Sequence, residues 1–462
     1  MIKLKKIKQN KNINNREAIL NDSIPKTLFR LSWPIMVGNT MQVLYNLADT
    51  FWVGKLGADS VAAISVGFPL VFLLISIGGG MTIAGTTLVA QYTGSDNKKM
   101  ADHVAGQIFT LVIFLSLIFG TTGFIFDRKI LGWIGAPANI MEEAVAYLDI
   151  IFAGVAFMFI FFVFTALLRG VGDTKTPMKM MVFSTIFNII IDPFLIFGWG
   201  FFPQLGVRGA AIATVFSRAL AGLYGVYLLF EGKKGIKLKA KNLVPDFKVQ
   251  KNIIKLGTPS AAEQSIIALG LTFMMGIVSE FGTLAVAAYG IGNRILSVVM
   301  MPMRGLSMAT TTMVGQTMGA DDPDRAEKIA WTAVGLTFSL MMALILITQI
   351  FPAQIISVFN ANSEVVAIGV DFLKIVGLSF GFLGIRIVIG GSFRGAGNTV
   401  AAMVLAVIAL WGFRVPLARL LSEYFQLGTT GVWWGMFMSN LLSAIIGAVW
   451  FKKGSWKEEK AI

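Results

Sequence analysis

The chain has 462 residues, 55% hydrophobic and only 14% charged, a balance that excludes an ordinary soluble protein, in which about a quarter of residues carry charge. The formal charge of +14 does not point to nucleic acid, because Lys and Arg gather at the ends and in one connection: eight in the first 30 residues, eight in 231–255 and four after Phe451. Absence of Cys excludes disulfides, thiolate metal sites and cysteine nucleophiles, and the single His103 leaves proton chemistry inside a membrane to carboxylates.

Windows of about 20 apolar residues predict twelve membrane spans: 28–52, 61–89, 104–126, 146–168, 178–199, 208–230, 253–279, 284–314, 326–351, 365–391, 399–422 and 428–451. The expected organisation is a basic cytoplasmic segment at 1–27, a first lobe at 28–230, a basic cytoplasmic linker at 231–252, a second lobe at 253–451 and a basic cytoplasmic tail at 452–462. No cleavable signal peptide is expected at the start. The charge asymmetry predicts a multi-pass protein of the cell membrane with both termini in the cytoplasm.

The first span, LSWPIMVGNTMQVLYNLADTFWVG, carries Asn39, Gln42, Asn46 and Asp49 at steps of three and four residues. These fall on one helical face, which must line a protein cavity rather than meet lipid. Pro34 removes a backbone hydrogen bond inside the same helix and is the expected hinge. An ionisable side chain in hydrocarbon costs at least ~2.5 kcal/mol and usually marks a path for an ion or substrate, which makes Asp49 the first candidate. In the fifth span Thr185, Asn188 and Asp192 repeat the same stepping, although an Asp before Pro also caps or ends helices. Thr214 in the sixth span offers an oxygen ligand or bonds its own helix.

Shifting the sequence by 225 positions lays one half on the other. Pro34 meets Pro259, TTLVAQYTGSD (86–96) meets TTMVGQTMGAD (311–321), and RGVGDT (169–174) meets RGAGNT (394–399). Beyond that point the offset slips by two or three residues. A duplicated unit with an even number of spans places both halves in the same orientation, with the site expected between them. The second half lacks the carboxylates: Met274 takes the place of Asp49 and Val415 lies near that of Asp192. Methionines such as Met274 and Met275 suit varied apolar ligands. Glu263 contacts a cation, pairs with Lys255 or caps its helix, while Arg218, Arg294, Arg304, Arg386 and Arg414 are read as snorkelling or structural. RGVGDTK does not meet the phosphate-loop spacing, and neither a zinc-protease nor a hydrolase motif occurs. No cofactor is expected, and an ion gradient rather than ATP is the expected energy source.

Twelve spans in two tandem halves, NLADTFWVGKLG followed by VAAISVGFP, the RGVGDTKTPM loop and NIIIDPFLIFG together resemble the multidrug and toxic compound extrusion (MATE) family, in its prokaryotic (DinF-like, archaeal-type) branch. The resemblance spans almost the whole chain. It implies an all-α integral membrane protein, with twelve transmembrane helices in two pseudo-symmetric six-helix lobes around a central cleft. It implies a secondary transporter, not an enzyme, antiporting amphipathic or cationic drug-like compounds against H⁺ or Na⁺ as a monomer in the bilayer, with no nucleic-acid partner. Carried over by position, it assigns ion coupling to Asp49, Asn188, Asp192 and Thr214, with Na⁺ an option at the first three. Tyr147 joins Asn39, Gln42, Asn46, Thr185 and Met274 as lining of the substrate cleft. Sodium-using relatives carry a carboxylate deeper in the seventh span, where Met274 and Met275 stand here, so a sodium site in the second lobe is not expected. The alternative reading is a flippase for lipid or lipid-linked substrates, which would need a cationic cavity.

Overall fold

The computed structural model describes residues 15–462, and the first half of the basic N-terminal segment lies outside the described residues. Among the described residues there is no strand. The long helices are α1 (Ile24–Gly54), α2 (Ala58–Gly94), α3 (Lys98–Ile134), α4 (Met141–Gly170), α5 (Lys175–Phe197), α6 (Val207–Glu231), α7 (Phe247–Ser279), α8 (Thr283–Gly319) and α9 (Pro323–Ile350). They continue as α10 (Ser363–Gly377), α11 (Phe380–Ala396), α12 (Thr399–Tyr424) and α13 (Gly428–Lys452). Ten of these are long and apolar enough to cross a membrane, and α10 with α11, bent by 52°, make an eleventh span. Helix α1, 31 residues long, is the twelfth. Its polar stripe is what keeps it from reading as a plain apolar span.

The sequence repeat is written into the backbone. Helix α2 runs 58–94 and α8 runs 283–319, both bounds shifted by 225. Left-handed turns recur at the same shift, with φ of 58° at Asp96 and 61° at Asp321, and of 83° at Gly172 and 102° at Gly397. The glycines are needed at the second pair because that conformation strains any residue with a Cβ. Each turn is followed by a side-chain cap. The Asn97 carbonyl accepts from the Met100 amide, Asp322 from Arg325, Asp173 from Thr176 and Asn398 from Ala401, satisfying donors that a helix start leaves open.

The chain forms two compact units. Among the described residues, one holds 15–17 and Val37–Ala261; the other holds Ala18–Met36 and Ala262–Ile462. The cuts at Met36/Val37 and Ala261/Ala262 fall within three residues of Pro34 and Pro259, so α1 and α7 each begin in one unit and end in the other. This differs from the expected lobe boundaries at 28 and 253. A proline releases one hydrogen bond in each helix, and the two segments that follow then pack with different partners.

Within the first unit α4 is the central helix and packs on α2, α3 and α6. Its run AGVAFMFIFFVFTALL carries no charge, so it can be buried on nearly every side. Gly154 lets α6 approach: a Cβ there would stand 2.3 Å from the Val215 side chain. The segment expected to be a linker is pinned to this unit. Gln107 Nε2 donates to the carbonyls of Asn242 (2.8 Å) and Val244 (2.7 Å), and its Oε1 accepts from the Asp246 amide at 2.7 Å. His103 Nε2 lies 3.1 Å from Asp246 Oδ2. The partners of Asp246, His103 first and the Val249 amide next, hold its carboxyl below the usual carboxylate range.

In the second unit α11 takes the central place, packed on α8, α9, α12 and α13. Tyr289, Phe372 and Trp433 form an aromatic core, with Trp433 stacked on Tyr289 at 5.8 Å and edge-on to Phe372 at 4.9 Å. Helix α12 widens to π-helical turns at Ile408–Arg414 and Leu420–Tyr424, on either side of Pro416, where the missing proline amide disturbs the regular ladder. The basic tail folds back: Trp456 stacks on Phe451 at 4.5 Å and donates Nε1 to its carbonyl, while Lys457 bonds Asp324 and Glu327.

Candidate functional site

Three helices of the first unit bring the predicted polar faces together. Beyond Val37, α1 presents Gln42, Asn46 and Asp49; α5 presents Thr185, Asn188 and Asp192; α6 presents Thr214. The α5 residues are buried, Asn188 and Asp192 completely. Asn188 Nδ2 donates to Asp192 Oδ1 at 3.0 Å, one helical turn along α5. Thr214 Oγ1 donates to Asp49 Oδ2 at 3.3 Å, tying α6 to α1. Thr185 Oγ1 meets the Met41 carbonyl at 3.4 Å and ties α5 to α1. The Asp49 and Asp192 carboxyls face each other across this junction, with Asn188 beside both.

What remains unpaired defines the chemistry. Asp49 Oδ1, Asp192 Oδ2 and Asn188 Oδ1 are buried acceptors without a donor. Three orphaned oxygens around two facing carboxyls describe a place with acceptors to spare. Leaving such groups unmet is costly. The donor set of two carboxylates, one amide oxygen and one hydroxyl suits a proton or a small monovalent cation. It is short of the six to eight oxygens that Ca²⁺ takes, and among the described residues no cluster of three His, Cys, Asp or Glu is placed to hold a metal.

Two residues that the sequence does not assign to the site belong here. Arg218, one turn beyond Thr214 on α6, donates Nη2 to Gln42 Oε1 at 2.6 Å, and Gln42 Nε2 in turn donates to Asn46 Oδ1 at 3.1 Å. Its guanidinium lies over the rings of Tyr45 (4.7 Å) and Phe161 (5.0 Å) and within electrostatic range of Asp49. Tyr45 is 2% exposed and stands on α1 between Gln42 and Asp49. Its step of three and four from these neighbours was the available signal, hidden because Tyr reads as apolar in a span. Arg218 was read as a structural arginine; it is the cation of the polar face.

The other predicted residues divide. Tyr147 on α4 is half-buried and lies within electrostatic range of Asp49 and Asp192. Asn39 is half-buried with its amide nitrogen unpartnered. Pro34 is buried and falls on the second unit's side of the division in α1. Met274 corrects the expectation of a cleft residue: it is fully buried in the second unit's core beside Ile277 and Tyr289. Its side chain fills space between helices, and its neighbour Met275 is the exposed one. Glu263 pairs with Arg394 rather than Lys255.

The MatE family model matches residues 34–194 and 259–420, one copy in each half. The chain belongs to the MatE family. A relative named probable multidrug resistance protein YoeA, from Bacillus subtilis (strain 168), is 32% identical and aligned over 91% of this chain and 93% of its own. Another, probable multidrug resistance protein NorM from Thermotoga maritima, is 30% identical over 95% of this chain and 94% of its own. A solved structure described as MATE in the bent conformation superposes with a TM-score of 0.89 at 26% identity, covering 95% of this chain and 97% of that one. As a MatE protein the chain is a multi-pass membrane transporter; Asp49, Asn188 and Asp192 of the polar junction lie within the first matched copy, while Thr214 and Arg218 on α6 follow its end at residue 194.

Proposed function

We propose that this MatE transporter exports amphipathic, cationic compounds in exchange for H⁺ or Na⁺, with the ion held between Asp49 and Asp192. The observation that carries the reading is the set of orphaned oxygens on Asp49, Asp192 and Asn188. The multidrug-resistance names of the YoeA and NorM relatives support the substrate class. Asp49 and Asp192 contribute two negative charges and Arg218 one positive, which leaves a net −1 for a single monovalent ion to neutralise. Without the ion, like charges repel across a buried gap, so the empty pair is the high-energy state.

An ion from the side of higher potential enters the pair, with Thr214 and Asn188 supplying neutral oxygens. Its binding removes the repulsion between α1 and α5 and permits α1 to change shape at Pro34, the position where one hydrogen bond is already missing. Gln42, Asn46, Asn39 and Tyr147 line the surface that the substrate meets, while the buried Thr185 ties α5 to α1 behind it. Ion and substrate must favour different states, because a ligand that binds both equally shifts nothing.

The test uses purified protein in sealed vesicles loaded with a fluorescent cationic dye, under an imposed pH gradient or Na⁺ gradient in turn. Dye movement driven by one gradient, and lost in Asp49→Asn, supports the scheme. Gradient-driven movement that survives Asp49→Asn ends it.

A further inference from the structure

The second unit holds the opposite imbalance. Its buried, unpartnered polar atoms include Arg386 Nε, Arg414 Nε, Tyr289 Oη and Trp433 Nε1, which are groups able to donate, where the first unit's coupling site leaves acceptors open. Arg386 on α11 lies within electrostatic range of three charged groups, Arg414 on α12, Glu263 on α7 and Arg394 on α11. Glu263 is already engaged: Arg394 Nη1 reaches its Oε1 at 2.8 Å and its Oε2 at 3.0 Å, and Arg394 Nη2 bonds the Ser307 hydroxyl at 3.3 Å. Arg414, 8% exposed, spends Nη2 on Asn440 Oδ1 at 2.7 Å, and Asn440 is fixed in turn by donating to the Ser379 hydroxyl at 2.8 Å. Tyr289 lies within electrostatic range of Arg414, with Asn293 beside it.

The charge count is therefore three arginines against one carboxylate. Among the described residues neither Arg386 nor Arg414 forms an ion pair. Two guanidinium groups that repel each other within membrane-spanning helices need a counter-charge, and Glu263, the carboxylate in range of Arg386, is engaged by Arg394. Arg414 is also held in place, since Asn440 and Ser379 fix one edge of its guanidinium and leave Nε open. Arg386 is half-buried, so an approach from outside the core is open on its side. A planar guanidinium pairs best with carboxylate or phosphate oxygens.

We propose that Arg386 and Arg414 form an anion site in the second unit that takes the phosphate or carboxylate headgroup of an amphipath. This site is separate from the carboxylate pair, and its occupancy does not depend on the transport reading. Aliphatic and aromatic neighbours suit the apolar portion of such a ligand: Leu383 lies three residues before Arg386 on α11, and Trp411 and Val415 are close to Arg414 in sequence. The headgroup can arrive on a membrane lipid or as a free anion, and both satisfy the same donors.

The experiment uses full-length protein, stripped of copurified lipid in a neutral detergent and measured by native mass spectrometry and by thermal shift. The probes are lysophosphatidate, lysophosphatidylcholine of equal chain length, and inorganic phosphate. The expected result is that lysophosphatidate binds about tenfold or more tightly than the zwitterionic lipid, and that Arg386→Gln removes most of that preference. Arg414→Gln should act in the same direction. Because Arg414 also packs against Asn440, the half-buried Arg386 is the deciding variant, with Arg386→Lys expected to keep part of the preference. Inorganic phosphate competing with lysophosphatidate would assign the site to free anions, and failure to compete would assign it to lipid headgroups. Equal binding of the anionic and zwitterionic probes, or a preference untouched by Arg386→Gln, overturns the proposal.

Discussion

Replacing Glu263 by Gln removes the carboxylate that stands within range of Arg386 and is paired with Arg394. Both oxygens of Glu263 are within 3.0 Å of one Arg394 nitrogen, and the two side chains are only 8% and 13% exposed, so water screens the pair poorly. Breaking a buried pair from one side costs about 3–5 kcal/mol, because the surviving charge keeps its desolvation penalty without its partner. Arg386 adds to the cost, since its charge repels Arg394 once Glu263 no longer stands among them. At roughly 2–4 °C per kcal/mol for a unit of this size, the thermal transition should fall on the order of 10 °C. The assay is scanning fluorimetry of purified protein at neutral pH. The double variant Glu263→Gln/Arg394→Gln should recover about half of the Glu263→Gln loss or more, because the stranded charge is gone, so the two single losses should not add. A single variant within about 1 °C of the parent, or two losses that simply add, would refute the reasoning.

Three further outcomes follow from the geometry. Gly106→Ala places a Cβ 2.3 Å from the Asn242 carbonyl; overpacking of this kind costs about 1–3 kcal/mol, so amide exchange in 240–246 should accelerate about tenfold or more while helix α4 stays protected. Asp246 is held below the ordinary carboxylate range of about 4 by His103 first. Its contribution is therefore complete above that range and lost as pH falls through the lowered value. Exchange protection of the Lys248 and Val249 amides, which donate to the Asp246 carboxylate, corrected for intrinsic rates, should be retained at pH 5.5, decline below about pH 4, and be weak at both in Asp246→Asn. Arg218→Gln removes the one positive charge beside the carboxylate pair, so the ion count per substrate, read from reversal potentials in vesicles, should rise from one toward two; an unchanged count would place the Arg218 charge outside the coupling balance.

Much of the architecture is legible in the sequence, because two strong signals coincide. Apolar windows mark the spans, and the 225-residue shift marks the duplication down to the Asp96/Asp321 and Gly172/Gly397 turns, where backbone geometry restricts the residue. The polar stripe on α1 and its counterpart on α5 were also readable, since Asn, Gln and Asp have no reason to fall on one helical face in a membrane unless something polar meets them. What escaped was set by tertiary packing. Whether Met274 lines a cleft or fills a core depends on which neighbour covers it, and a methionine serves both. Arg218 and Tyr45 looked like a snorkelling cation and an ordinary apolar ring until α1 and α6 were placed side by side. The division of α1 and α7 near Pro34 and Pro259 is invisible to span counting, since each helix is continuous in sequence while its two parts pack in different units. The bend between α10 and α11 falls at Leu378 and Ser379, where no proline announces it.

The central claim is that substrate and ion compete through the Asp49–Asp192 pair, and it is tested most directly by ion release on substrate binding. Purified protein in a weakly buffered solution would be titrated with a cationic dye, with proton release followed by a pH indicator and Na⁺ release by a sodium-selective electrode. The account predicts release of about one H⁺ or one Na⁺ per substrate bound, in line with the net charge of −1, and its loss in Asp49→Asn and Asp192→Asn variants that remain folded. Substrate binding that releases no ion, or release that persists undiminished in both variants, would contradict it.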